Sequence, residues 1–367
     1  MRFATAVGIS RAGLLGLLVL VSYSAGYAQG APAAPGSPAA PGTPGTPVTP
    51  AEPVSPVESI DTIHDVVSIA TNQTEIFVAA CPTGFSQLGS AYIFALDATN
   101  GGAATVLNTT PLWGSPAGLE VMGNNLIVAV HPEPEGRLPE GSTPMTGIYR
   151  LPIAGGPVVP LWQGLPLVKP NRLAIVGSTI YVADMDAGPG GSGAILSLPA
   201  SGGQPTVVAQ GGLLDDPVAL AATSSGLYIA DRGHSSSGAA HKDPGMPGKI
   251  LFLPFDSNQP TLVAQGGLLK NPLDLELIGD TLYIADEGQD ERAQQGVYSL
   301  SVAGWRSGVD LSSSLAVVHQ GEPFVEPIAL AAVQGKLYVA DDTGTKTFKV
   351  RITASSNPVA VSGPSSH

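Results

Sequence analysis

The stretch Pro217-Val-Ala-Leu-Ala-Ala-Thr-Ser-Ser-Gly-Leu-Tyr-Ile-Ala-Asp231 decides the fold, because the chain repeats it. Pro-x-x-Leu, seven residues, then a run ending Tyr-Val/Ile-Ala-Asp recurs at 170–184, 272–286 and 327–341. Two degenerate copies precede these, at 66–80 and 116–130. The six copies end at 80, 130, 184, 231, 286 and 341, so successive ends are 50, 54, 47, 55 and 55 residues apart. A period of that size is one supersecondary unit copied along the chain.

Each unit divides into short strands. In the third, 173–176 is apolar, Gly177-Ser178 is a turn, and 179–183 alternates with β-branched and aromatic residues. A glycine-rich loop, Ala194-Ile-Leu-Ser-Leu198, a Ser-Gly-Gly turn at 201–203 and Thr206-Val-Val-Ala209 follow. Hairpin turn residues recur after the first strand, at Asn124-Asn125, Ser225-Gly226 and Gly279-Asp280. Four strands per unit and six units predict an all-β, six-bladed β-propeller of four-stranded antiparallel blades over 58–367. The last blade is expected to finish with strands at 348–352 and 359–361, without a strand borrowed from the N-terminus.

The wording resembles the NHL/YWTD-type six-bladed propellers, on Pro-x-x-Leu-Ala, Leu-Tyr-Val-Ala-Asp and Ile-Leu-Ser-Leu-Pro. Where NHL repeats carry Asn-x-Arg after Ala-Asp, this chain has Met185-Asp186, Arg232-Gly233, Glu287-Gly288 and Asp342-Thr343. The chain is more distantly similar to the gluconolactonase/SMP-30 propellers. That resemblance implies a metal-ligating Asn at the start of an inner strand, matched here by Asn171 in Pro170-Asn171-Arg172. The equivalent positions are Val67, Ala117, Val218, Leu273 and Ile328, so the resemblance implies that fold and one ligand rather than a complete metal site.

Residues 1–28 read as a signal peptide: Arg2 and Arg11, an apolar run at 12–21, then Gly26 and Ala28 as small cleavage-site residues. Over 29–57, proline falls at every third position from Pro32 to Pro56, the period of a polyproline II helix. Such a segment is a semi-rigid linker, up to about 80 Å long at about 3.1 Å per residue. The single Cys81 excludes an intramolecular disulfide. The net charge of −13 argues against nucleic acid and anionic lipid as partners. These features predict an exported, monomeric protein, periplasmic or extracellular, with no stable membrane insertion after cleavage.

Long loops at 131–146, 185–193, 232–248 and 287–295 open on one face of the expected ring. Function rides on variable loops held by a rigid scaffold, which singles out His131, Arg232 and His234 on that face. His64, His241 and His319 are also expected near it, but no metal-ligand spacing joins the histidines. The four Ala-Asp aspartates read as caps for loop amides after their own strands. No nucleophile elbow or phosphate loop is present.

On the inner strand, alternation puts the repeated Leu on one face. The other face carries Ser68/Ala70, Gly118/Glu120, Arg172/Ala174, Ala219/Ala221, Asp274/Glu276 and Ala329/Ala331, which is expected to line a central channel. Against that small-residue background Glu120, Arg172, Asp274 and Glu276 stand out. Two readings follow. One is a non-catalytic propeller, needing no cofactor, that binds a protein, glycan or small ligand on its long-loop face. The other is a lactonase- or lyase-type enzyme using the channel cluster with Ca²⁺ or another divalent cation.

Overall fold

The computed structural model describes residues 66–80, 90–98, 101–108, 112–132, 145–232, 247–288, 294–322, 324–333 and 336–341. The signal-peptide and linker readings, Cys81, His64, His234 and His241 lie outside the described residues.

Five antiparallel blades follow in chain order. Blade 1 is β1 (Val66–Thr71), β2 (Glu75–Ala80), β3 (Ser90–Asp97) and β4 (Gly101–Val106), with β5 (Leu112–Trp113) added to β3. Blade 2 is β6 (Ser115–Met122), β7 (Asn125–His131), β8 (Gly147–Pro152) and β9 (Val159–Gln163). Blade 3 is β10 (Pro170–Val176), β11 (Thr179–Asp184), β12 (Ala194–Pro199) and β13 (Thr206–Gln210). Blade 4 is β14 (Pro217–Ala222), β15 (Gly226–Asp231), β16 (Lys249–Pro254) and β17 (Thr261–Gln265). Blade 5 is β18 (Pro272–Ile278), β19 (Thr281–Asp286), β20 (Gly296–Ser301) and β21 (Ala316–Gln320). A two-stranded sheet of β22 (Pro327–Val333) and β23 (Lys336–Asp341) comes last. Among the described residues there are thus five blades with four-stranded ladders, not the six expected. The strands expected at 348–352 and 359–361 lie outside the described residues.

The first strands touch in the closed order β1, β6, β10, β14, β18, β22 and back to β1. They are the inner strands, and one edge of each faces the axis. Proline is tolerated at Pro170, Pro217, Pro272 and Pro327 because an edge strand does not need every N–H. The same end of every inner strand is bulged, at 66–68, 115–118, 170–173, 217–219, 272–274 and 327–329. A bulge takes its extra residue out of the ladder and re-aims its backbone groups.

The channel-lining assignment of the alternate face needs correction. Sheets in this ring stand radially, so both faces of a strand pack between blades. Ala174 lies with Leu220 of the next blade, Ala70 with Leu119, and Ala219 and Ala221 with Leu275. Ala329 and Ala331 pack with Ile69, which joins the last sheet to blade 1. Alanine suits these positions because neighbouring sheets converge at the hub. Tyr338 adds a hydrogen bond from its hydroxyl to the Ala98 carbonyl, 3.0 Å across the closure.

The Ala-Asp aspartates also differ from expectation. Among the described residues, most of the amides they hold precede the blade rather than follow the strand. Asp184 accepts from Val168 and Lys169, Asp231 from Asp215 and Asp216, and Asp341 from Val325 and Glu326. Asp286 accepts from Lys270, Asn271 and Gly288 at 2.9, 3.0 and 2.9 Å. Each carboxylate thus pins the connection that delivers its own inner strand. Asp186 and Gly288 do donate from the following loop, as expected.

Asp286→Ala strips an acceptor from three backbone amides, so it should cost about 2–4 kcal/mol in urea unfolding. Asp286→Asn, which keeps one acceptor oxygen, should fall between that variant and the wild type.

Candidate functional site

The ring has two polar zones, one on its axis and one at the long-loop ends of blades 3 to 5. The axis zone is built around Arg172, which is 7% exposed. Its Nη1 donates to the Val67 carbonyl at 3.0 Å and to the Ala117 carbonyl, and its Nη2 donates to the Ile328 carbonyl at 2.5 Å. Its Nε lies 3.2 Å from Asp274 Oδ1. One guanidinium from blade 3 therefore grips blades 1, 2 and 5 and the β22–β23 sheet.

The three accepting carbonyls belong to equivalent bulge residues. The bulge frees them from the ladder, and five N–H groups in a rigid fork can use several at once. Gly118 makes room where blades 2 and 3 approach: a Cβ there would lie 2.2 Å from the Asn171 carbonyl oxygen and 3.1 Å from Arg172 Cα. Asp274 Oδ2 accepts the Leu330 amide at 2.8 Å, which ties blade 5 to the following sheet. Burial raises the Asp274 pKa, and Arg172 together with this amide opposes the rise.

One step further along the strands stand Glu120 and Glu276, from the opposite blades 2 and 5. Both side chains are half-buried by surface area although protein surrounds their carboxyl groups. Burial pushes the Glu120 pKa up to about 8, helped by the Asp274 charge and opposed by Arg172. Glu276 is held well above the ordinary range by burial, then by the charges of Glu120 and Asp274. The expected four-residue cluster is thus assembled, in two tiers: an Arg172–Asp274 pair braced by backbone, and two glutamates beyond it. Among the described residues, no three His, Cys, Asp or Glu side chains form a group suited to a metal ion.

At the long-loop ends, three successive blades carry polar pairs at matching repeat positions. The residue before each Pro meets a residue just after each Ala-Asp. Lys169 Nζ is 2.5 Å from Asp186 Oδ2 in blade 3. Arg232 donates from Nε at 3.0 Å and from Nη2 at 2.7 Å to Asp216 Oδ2 in blade 4. Asn271 Nδ2 donates to Glu287 Oε1 in blade 5. Beside them Lys249 pairs with Asp215 and lies 3.5 Å from Asp231.

Asn171 and Arg232, both singled out in the sequence, meet indirectly here. Met185 Sδ lies 3.5 Å from Asn171 Nδ2 and 3.3 Å from Arg232 Nη2. His131 ends β7 on blade 2, its Nδ1 3.4 Å from the Pro132 carbonyl. His319 sits on β21 and bonds the Glu322 carbonyl through Nε2 at 2.8 Å. Sequence reasoning missed Lys169, Asp186, Asp216, Lys249, Asn271 and Glu287. Their signal was positional: charged or amide residues at the slot before Pro and just after Ala-Asp.

Comparison with known proteins supports the propeller and little more. No protein-family model matches the chain, and no curated protein matches it. Among solved structures 534 chains match, so the architecture is widely shared and does not select an activity. One is a Thermus thermophilus protein proposed to be an oxidoreductase (glucose dehydrogenase), with a TM-score of 0.54 and 15% identity over 79% of this chain and 96% of that one. This establishes a shared β-propeller fold.

Two outcomes test the axis. Arg172→Met leaves Asp274 buried without its cation, so stability should fall by about 3–5 kcal/mol in chemical denaturation. Adding Asp274→Leu to that variant should recover part of the loss. For Glu120, the folded pKa of about 8 exceeds the ordinary 4.5, so the folded chain binds this proton more tightly than the unfolded one. Its stabilising contribution is complete below pH 4.5 and is lost as pH rises to about 8. Melting temperature followed across that range should fall less steeply for Glu120→Gln than for wild type.

Proposed function

We propose that this chain is an exported, non-catalytic binding propeller whose long-loop face takes a polar ligand. The two-stranded sheet would be the inner half of a sixth blade of an NHL/YWTD-like ring. The Pro-rich linker would hold that ring away from its point of export, in the periplasm or outside the cell. The ligand class is a protein, a glycan or a small molecule, bound by a monomer.

The observation that carries this reading is the row of polar pairs in blades 3, 4 and 5. Lys169, Arg232 and Asn271, one from each polar pair, stand at the long-loop ends of these three blades. The Ala-Asp clamps hold the backbone beneath them, which gives a preorganised polar surface. The axis cluster supports this reading too, because Arg172 spends its donors on bracing the ring.

A cation-dependent enzyme of the lactonase or lyase kind is the second reading, with Ca²⁺ or another divalent cation near the channel carboxylates. The raised pKa values of Glu120 and Glu276 favour it, since perturbed carboxyls concentrate at functional sites. The glucose dehydrogenase activity proposed for the structural neighbour is compatible with a catalytic propeller.

A thermal-shift screen with saccharides and short peptides tests the first reading. Ligands that raise the melting temperature of the wild type should lose their effect in Lys169→Ala, Arg232→Ala and Asn271→Ala. Gln259→Ala, in the exposed β16–β17 turn at the other end of blade 4, should leave the effect intact. Hits that ignore all three substitutions would overturn the assignment to this face.

A further inference from the structure

We propose that Met185 is a modification site, a redox-sensitive joint between blades 3 and 4. Hydrogen peroxide converts its thioether to the sulfoxide, and the new oxygen displaces Arg232 from Asp216. The site lies in the polar row but stands whatever that row binds.

The argument begins with the repeat. The residue just after Ala-Asp is Met185, Arg232 or Glu287 in blades 3, 4 and 5. All three are fixed at the base in the same way. Their amides donate to the carbonyls of Lys169, Asp216 and Asn271, the residues before the Pro, at 3.1, 3.1 and 3.2 Å. The side chains of Arg232 and Glu287 then pair with the side chain of that same residue. Met185 has no charge to pair and turns to the next blade instead. It is half-buried and packs against the core cluster that contains Val218 and Ala219 of β14. Its Sδ lies 3.3 Å from Arg232 Nη2 and 3.5 Å from Asn171 Nδ2.

Two N–H donors, one from each blade, thus meet at a single sulfur. A thioether is a weak acceptor and satisfies them poorly. Oxidation adds a polar oxygen at the same place, within reach of both donors. In the step, a sulfur lone pair attacks one peroxide oxygen, so an S–O bond forms and the O–O bond breaks. The other oxygen leaves as water with both peroxide protons. Sulfur loses two electrons and the peroxide gains them. Because Met185 is only half-buried, a molecule as small as hydrogen peroxide reaches it.

The product does not fit the present geometry. A hydrogen-bonded oxygen sits about 2.9 Å from its donor nitrogen. It cannot be added between atoms 3.3 Å apart unless the sulfur or the guanidinium retreats. The same Nη2 holds Asp216 Oδ2 at 2.7 Å. Asp216 is 3% exposed, and its Oδ1 has no hydrogen-bond partner. A retreating Arg232 therefore leaves a buried carboxylate poorly paired, which is costly. Asp216 immediately precedes Pro217, where β14 begins. Oxidation loosens the entry to blade 4 at its long-loop end.

The test treats the full chain with dilute hydrogen peroxide and reads sulfoxide at each methionine by peptide mass mapping, alongside the melting temperature. Met185 should gain one oxygen, and the melting temperature should fall by about 2–4 °C. Methionine sulfoxide reductases should restore both. Met185→Leu should melt at the same temperature before and after treatment, although its other methionines still oxidise. Arg232→Ala and Asp216→Asn, each checked for a cooperative melt, should lose most of the oxidative shift, because the pair that oxidation disturbs is already gone. Three results would overturn the proposal: Met185 unmodified while Met122 is oxidised, an equal shift in Met185→Leu, or an undiminished shift in both Arg232→Ala and Asp216→Asn. The last would reduce Met185 to an ordinary packing residue.

Discussion

The ring depends on the bonds from Arg172 to the bulge carbonyls of other blades. A propeller closes by packing alone only if its sheets meet well at the axis, where backbone edges converge and polar groups point inward. Here the bulges at the start of the inner strands turn carbonyls toward that axis. Left without donors in a buried hub, each would cost free energy comparable to a lost hydrogen bond. Arg172 serves three of them and pairs with Asp274, so the charge and the carbonyls satisfy each other.

A second constraint works blade by blade. The buried Ala-Asp carboxylates fix the connections into blades 3, 4 and 5 and the last sheet through two amides each, and at Asp286 burial raises the pKa to about 6 despite its bonds. Their repeat position makes them a local device that needs no neighbouring blade. The surface pairs Lys169–Asp186, Arg232–Asp216 and Asn271–Glu287 rest on these pinned connections. Structure and surface chemistry thus share one repeat: a recurring carboxylate below, and side chains that differ from blade to blade above.

The hub divides by depth. In the tier nearer the long-loop face, opposite charges meet directly and backbone amides finish the hydrogen bonding. In the next tier, like charges meet and burial favours their neutral forms. The same strands carry both tiers two residues apart, so one blade, through Asp274 and Glu276, takes part both in the bracing and in the like-charged tier. That explains why a single sequence cluster has two physical roles.

The repeat phrase by itself determined the blade: its strands, its turns, the leucine face and the alanines that let sheets converge. These are local matters of period, volume and turn chemistry, and they are visible in residue identity. The cluster Glu120, Arg172, Asp274 and Glu276 was legible for the same reason, as charge against an alanine background. Its arrangement was not. Arg172 binds carbonyls 55 to 156 residues away in sequence, and a carbonyl is common to every residue type. Only the tertiary structure decides which carbonyls a bulge releases and which blades stand close enough to offer them. Alternation along a strand predicted a channel wall at positions that pack against the next blade, because a radial sheet turns an edge to the axis.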